Sequence, residues 1–223
     1  MKLKRKINAP IFITAIVLTT AVFLLGFSIG KYLAYTRLEI VESSQKQVSA
    51  FFDLFQAKTK SLNESTDYCN LTWDEVWKEK VEVGNVLAKL ETRLGKDDPR
   101  ITEQKKLYNE MQFKVIEIIK KIREECGYED WKIILFFYTN KKDDLLGDKK
   151  LSALQGYALD TVYNRNPENV KIFSFDINAE SQAITKLRKQ YQIKSVPFLV
   201  SENKTYEKFL SRGEIEDILK NGS

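Results

Sequence analysis

The stretch QYQIKSVPFLV, Gln190 to Val200, decides how the last third of the chain folds. It ends in an apolar, strand-like run, Phe198-Leu199-Val200, with Pro197 at its mouth. Proline has no N–H to give a sheet, so it belongs at a strand start, an edge or a bulge. Behind it, AESQAITKLRKQYQI (Ala179–Ile193) has helical spacing, and NVKIFSFDI (Asn169–Ile177) alternates like a strand. KKLSALQGYALDTVYNR (Lys149–Arg165) reads as another helix. WKIILFFYT (Trp131–Thr139) is an unbroken apolar run, as expected of a strand buried on both faces. Ahead of the proline, PFLV and TYEKFLS make a strand pair around SENK, and GEIEDILK closes the chain as a helix. The order β-α-β-α-β-β-α predicts an α/β sheet.

LRKQYQIKSVPFLV, Leu187–Val200, resembles the helix, Y-x-I-x-x-x-P turn and strand of the thioredoxin fold. FSFDINAE is similar to the strand and acidic turn that precede them, and FLSRGEIEDIL to the last strand and helix. The likeness covers roughly residues 131–220, without the first strand and helix of full-length thioredoxins. It implies that Pro197 is cis and sits beside the active-site loop. It also implies that the backbone at Val196 and Pro197 is available to an extended peptide, through strand-edge groups that lack partners.

The same resemblance exposes a departure. The family's CxxC follows the strand matched by Trp131–Thr139. Strand laid on strand, that position reads Lys142-Asp143-Asp144-Leu145. Thiol–disulfide exchange needs a thiolate and a resolving sulfur, and neither is there. The resemblance therefore carries fold but not activity. Lys141 to Asp144 read as a solvated loop and helix start, with Asp143 or Asp144 as the cap; a replacement catalytic site is the competing reading.

The 223 residues carry 36 Lys and Arg against 31 Asp and Glu, too even a balance to argue for nucleic acid as a partner. There is no histidine, which excludes histidine-based triads and metal sites, and two cysteines cannot make a four-cysteine zinc site. No cofactor is implied. PIFITAIVLTTAVFLLGFSIG, Pro10–Gly30, has no charge and as a helix would span about 31 Å, the thickness of a bilayer core. Thr14, Thr19, Thr20 and Ser28 within it can bond back to helix carbonyls. A cleaved signal peptide is the competing reading. The run is longer than the ~7–15 residues of a signal core, and no small-x-small site follows. Lys2, Lys4, Arg5 and Lys6 precede the run, whereas Lys31 and Arg37 beyond it are diluted by Glu39 and Glu42. This bias predicts a cytoplasmic tail (1–9), a single membrane anchor (10–30) and an extracytoplasmic remainder.

Beyond the membrane, a helical stalk is expected over 31–66, with Val41, Val48, Phe52 and Phe55 on one face and a break at SLNEST, Ser61–Thr66. An antiparallel helical hairpin is expected over 67–127. Its first seam is Trp73, Val76, Val83, Leu87, Leu90 and Leu94, with Lys80 filling one position; its second is Tyr108, Met111, Val115, Ile118 and Ile122. GKDDPR, Gly95–Arg100, supplies a helix-ending glycine, a capping aspartate and a first-turn proline. Thr72 and Glu75 form a capping box. Trp73 and Trp77 are expected to pack on Phe52 and Phe55 of the stalk. Each seam, extended, ends on a cysteine, so Cys69 and Cys126 should meet as a disulfide at the open end. The bond would close a loop of about 57 residues, worth about 4 kcal/mol in the chain-entropy model. Two buried free thiols are the plain alternative.

The thioredoxin-like domain then occupies 128–223. Two functions are expected from this layout. One is a membrane-tethered, non-catalytic module that binds an extended peptide or assembles with another membrane protein. The other is an extracytoplasmic thiol–disulfide oxidoreductase using Cys69 and Cys126, which the remoteness of both cysteines from Pro197 in sequence disfavours.

Overall fold

The computed structural model describes residues 9–64, 73–96, 98–127, 131–202 and 204–221. It falls into two compact units, 1–46 and 47–223. The elements in order are α1 (Ala9–Glu64), α2 (Trp73–Leu94), α3 (Pro99–Cys126), β1 (Lys132–Tyr138), α4 (Lys149–Arg165), β2 (Val170–Asp176), α5 (Gln182–Tyr191), β3 (Phe198–Ser201), β4 (Lys204–Tyr206) and α6 (Arg212–Asn221).

In the first unit, α1 is long and apolar enough near its start to cross a membrane, and that apolar stretch is wholly exposed. The Thr14, Thr19 and Ser28 hydroxyls donate to the carbonyls of Pro10, Ala15 and Leu24 at 2.9, 2.8 and 2.8 Å. Each hydroxyl thereby stops competing for outside partners, which suits a hydrocarbon surround. The helix does not break at Ser61 but continues to Glu64. Cys69 and Thr72 lie outside the described residues, as do the side chains of Phe55, Trp73, Glu75 and Val76.

In the second unit, the hairpin forms as its seams dictate. Val83, Leu87 and Leu90 of α2 and Met111, Val115 and Ile122 of α3 are buried. Gly95 takes the left-handed φ of +91° that ends α2, and Asp98 caps α3 through the Arg100 N–H at 2.9 Å with Pro99 in the first turn. Val48 of α1 is buried in the same core, with Phe51 and Phe52 packed against it.

The sheet has four strands in the order β2-β1-β3-β4. β1 runs parallel to β2 and antiparallel to β3, with Phe136 opposite Ser174 and Phe137 opposite Phe198; β4 runs antiparallel to β3. Phe137, Phe175 and Phe198 interlock on one face against α3 and α5, with Phe137 and Phe175 stacked at 5.3 Å. Ile134, Phe136 and Leu199 fill the other face beneath α4 and α6. β2 does not alternate in burial as its sequence suggested, because helices cover both of its faces.

β2 is an edge strand, and an unpaired buried edge is costly. Its outward backbone groups are taken by the hairpin. Gln112 donates to Ser174 C=O at 2.8 Å and accepts from Ser174 N–H at 3.1 Å. Lys80 donates to Ile172 C=O at 2.6 Å. On the same stripe of α3, Asn109 reaches Ala179 C=O at 3.4 Å. Lys105 lies between Asp176 at 2.8 Å and Glu91 at 2.7 Å. Burial alone would lower the Lys105 pKa, but the two carboxylates outweigh it and raise it. The hairpin thus stands where a further strand would pair, bonded through side chains.

Candidate functional site

Where the redox motif was expected, the chain makes a tight polar loop. Lys142 and Asp143 are exposed, Asp143 with a left-handed φ of +56°, and Leu145 is fully exposed at 103 %. Asp144 turns inward. It accepts from Thr139 Oγ1 at 2.5 Å, Asn178 Nδ2 at 2.9 Å and Leu146 N–H at 3.0 Å. Burial opposes its charge, but these hydrogen bonds prevail and hold its pKa below the ordinary carboxylate value. Asp144 is therefore a turn-former, and neither it nor Asp143 caps α4. The cap is Asp148, which accepts from Lys150 and Leu151 N–H at 2.6 and 3.0 Å. The helix starts at Lys149, too far along for Asp144 to reach its free N–H groups.

The Val196–Pro197 bond is cis, as the resemblance implies. The segment beside it is Leu146–Asp148 rather than Lys142–Leu145. Val196 N–H donates to Leu146 C=O at 2.8 Å, and Asp148 N–H donates to Val196 C=O at 3.3 Å, around a Gly147–Val196 bridge. The expected unpartnered backbone at Val196 is thus already paired within the chain. Gly147 is what permits it, because a Cβ there would overlap Val196 O and Cγ2. Neither segment contains sulfur.

Cys126 lies at the other end of the sheet. α3 runs from Lys105, beside the C-terminal end of β2, down to Arg123, which donates to Trp131 C=O ahead of β1 and lies 4.0 Å from Glu202 after β3. Pro197 precedes β3, next to the end of β1. A seven-residue strand separates the two ends by about 20 Å. No free cysteine is present among the described residues.

Sequence reasoning missed a second place. A cavity of about 480 Å³ opens between α2, α4 and the β1–β2 part of the sheet. Trp77 and Lys80 line one wall, Gly156 and Asp160 another, Phe136 and Ile172 the floor. Trp77 packs edge-on to Phe173 at 5.5 Å, and its Nε1 donates to Tyr163 Oη at 3.4 Å. The Lys80 ammonium position lies 4.5 Å from the Trp77 ring centre and 5.1 Å from that of Phe173. Burial lowers its pKa to about 7. The signal in the sequence is a lysine filling one position of an apolar seam.

No protein-family model and no curated protein matches the sequence. Among solved chains, one described as "Structure of a malarial protein" is 13 % identical, with a TM-score of 0.34, covering 41 % of this chain and 97 % of its own. At that score the likeness carries no argument.

Proposed function

We propose that the protein is a membrane-tethered, extracytoplasmic, thioredoxin-like module that has lost thiol chemistry and works by binding. The strand order, the antiparallel β3 and β4, the flanking helices and the cis Val196–Pro197 bond support the thioredoxin-like reading. The apolar start of α1 supports the tether, and the Lys2–Lys6 cluster supports a cytoplasmic N-terminus. An exterior compartment would allow a Cys69–Cys126 bond to persist.

The observation that carries the reading is the closed loop at Pro197. Leu146–Asp148 occupies the backbone groups of Val196, and neither that segment nor Lys142–Leu145 carries a sulfur. A partner is accordingly met by side chains. Leu145, Leu151, Leu154 and Tyr157 are exposed together with Lys142, Lys149 and Lys150, while Asp144 and Asp148 are turned into backbone contacts. An acidic, apolar segment of another membrane protein fits that face. The enzymatic reading is tested on the full chain in detergent with insulin and dithiothreitol. Insulin reduction should stay at background. Turnover that vanishes in Cys126→Ser would overturn the reading.

A further inference from the structure

We propose that Lys80 is the reactive amine of a binding site for small aldehydes or ketones, held as a reversible imine in the cavity between α2, α4 and the sheet. Among the described residues, its lining includes neither the Pro197 loop nor a cysteine.

The geometry supplies what such an amine needs. Lys80 is 7 % exposed and lines a cavity of about 480 Å³, room for a ring-sized ligand. Its ammonium position is flanked by the Trp77 and Phe173 rings, and no carboxylate lies within ion-pair reach of it among the described residues. The other buried lysine of the cavity, Lys105, is saturated by Glu91 and Asp176. The bond from Lys80 to Ile172 C=O uses an N–H and leaves the nitrogen lone pair free. Burial among apolar groups keeps an amine neutral and nucleophilic near pH 7. The titratable groups lining the cavity with it are Glu91 on α2, Lys96 after it, Lys105 and Tyr108 on α3, Tyr138 on β1, and Tyr157, Asp160 and Tyr163 on α4, with Lys171 of β2 against the Trp77 ring. Asp160, exposed on α4 where the cavity opens, is its carboxyl outside the Lys105 cluster, and partial burial raises its pKa.

The step balances without an oxidant. The Lys80 lone pair attacks the carbonyl carbon, forming a C–N bond as the C=O π pair moves to oxygen. Proton transfer from nitrogen to oxygen gives a carbinolamine. Protonation of its hydroxyl and loss of water, with the remaining N–H proton released, leaves a C=N bond. One carbonyl compound and one amine become one imine and one water.

The test is reductive trapping on the full chain in detergent at pH 7, with benzaldehyde as probe, cyanoborohydride as reductant and peptide mapping as readout. About half of an amine with a pKa near 7 is neutral at that pH, against about 4 in 10,000 for an ordinary lysine. That ratio is about 1,000-fold. Allowing about tenfold for restricted entry, Lys80 should be benzylated about 100 times faster than exposed Lys142 or Lys149. Lys80→Met should lose that adduct while the α-amino group of Met1 still labels. In urea the preference for Lys80 should vanish. Labelling of Lys80 no faster than Lys142, or only in urea, would overturn the proposal.

Discussion

Replacing Gln112 by alanine strips both backbone groups of Ser174 of their partners at once. Gln112 is fully buried, and its amide both donates to and accepts from that one residue, at 2.8 and 3.1 Å. Two net hydrogen bonds are worth about 1 kcal/mol each, and a buried group left unpaired costs about 1–3 kcal/mol. Ser174 is half-buried, so water can recover part of this. The expected loss for Gln112→Ala is about 3 kcal/mol. Gln104 on the same helix is the control. It is 7 % exposed, and its carbonyl oxygen has no partner, so Gln104→Ala removes a group that was already unsatisfied. That variant should cost about 1 kcal/mol or less. Gln112→Glu keeps an acceptor for Ser174 N–H but sets a carboxylate against Ser174 C=O. Its folded-state pKa would be raised, so this variant should gain stability as pH falls. Urea unfolding of the full chain in detergent, followed by tryptophan fluorescence and near-UV circular dichroism, measures the difference. Amide exchange at Ser174 localises it, and should quicken at least about tenfold in Gln112→Ala. Equal losses for the two alanine variants, or unchanged exchange at Ser174, would refute the claim that Gln112 closes this edge.

Lys80 gives a pH signature: its folded pKa of about 7 lies below its unfolded value near 10.4, so the unfolded chain holds the extra proton between them. Stability should rise with pH across that window, by up to about 5 kcal/mol, and Lys80→Met should flatten the profile and be the more stable at pH 7, as read by urea midpoints at each pH. Gly147→Ala should cost about 2 kcal/mol or more, because the clashing neighbour is the Val196 backbone and cannot swing away; hydrogen exchange at Val196 N–H should quicken, and an unchanged rate would mean the bridge is dispensable. If Cys69 and Cys126 are bonded, the denatured, unreduced protein should show no reactive thiol, and Cys69→Ala with Cys126→Ala should cost at most about 4 kcal/mol, no more than either single change. Two thiols per chain would rule the bond out.

The strands and helices of the last third were legible because each carries its own period. Trp131–Thr139 is apolar apart from Lys132 and Thr139, and the centre of β1 is buried on both faces. Lys149–Arg165 was bounded as a helix, and α4 has those limits. The cis proline was legible only through the resemblance. The α4 cap was misplaced because three aspartates precede the helix, and spacing alone does not say which of them turns inward. Asp144 is claimed by Thr139 and Asn178, the latter 34 residues away, and no local rule reads that. The cavity was invisible for a similar reason. Lys80 and Asp160 are 80 residues apart in sequence and line one cavity only because α2 and α4 flank the same two strands.

The polar stripe of α3 was illegible in a more instructive way. Lys105, Asn109 and Gln112 are polar and lie off the apolar seam of the hairpin, yet all three are buried. A hairpin with one apolar seam buries one face. This one buries a second face whose partners are backbone groups, so hydrophobic periodicity does not register it. A glutamine side chain ends in an amide, the same donor and acceptor pair that a neighbouring strand would present. On the opposite side of the sheet, Gln155 of α4 uses the same device. It is fully buried, donates to Leu210 C=O at 3.1 Å and accepts from Leu210 N–H at 2.7 Å. Both glutamines hold irregular or edge backbone that no strand pairs, and both sit on helices that also supply apolar core. A buried glutamine on an amphipathic helix, three or four residues from apolar neighbours, is therefore a sequence sign of a helix docked on exposed backbone. Such a helix is positioned more sharply than packing alone would place it, since both bonds are kept in only one register. That is how α3 can fix the β2 edge and bring α2, with Lys80, against the side of the sheet where the cavity opens.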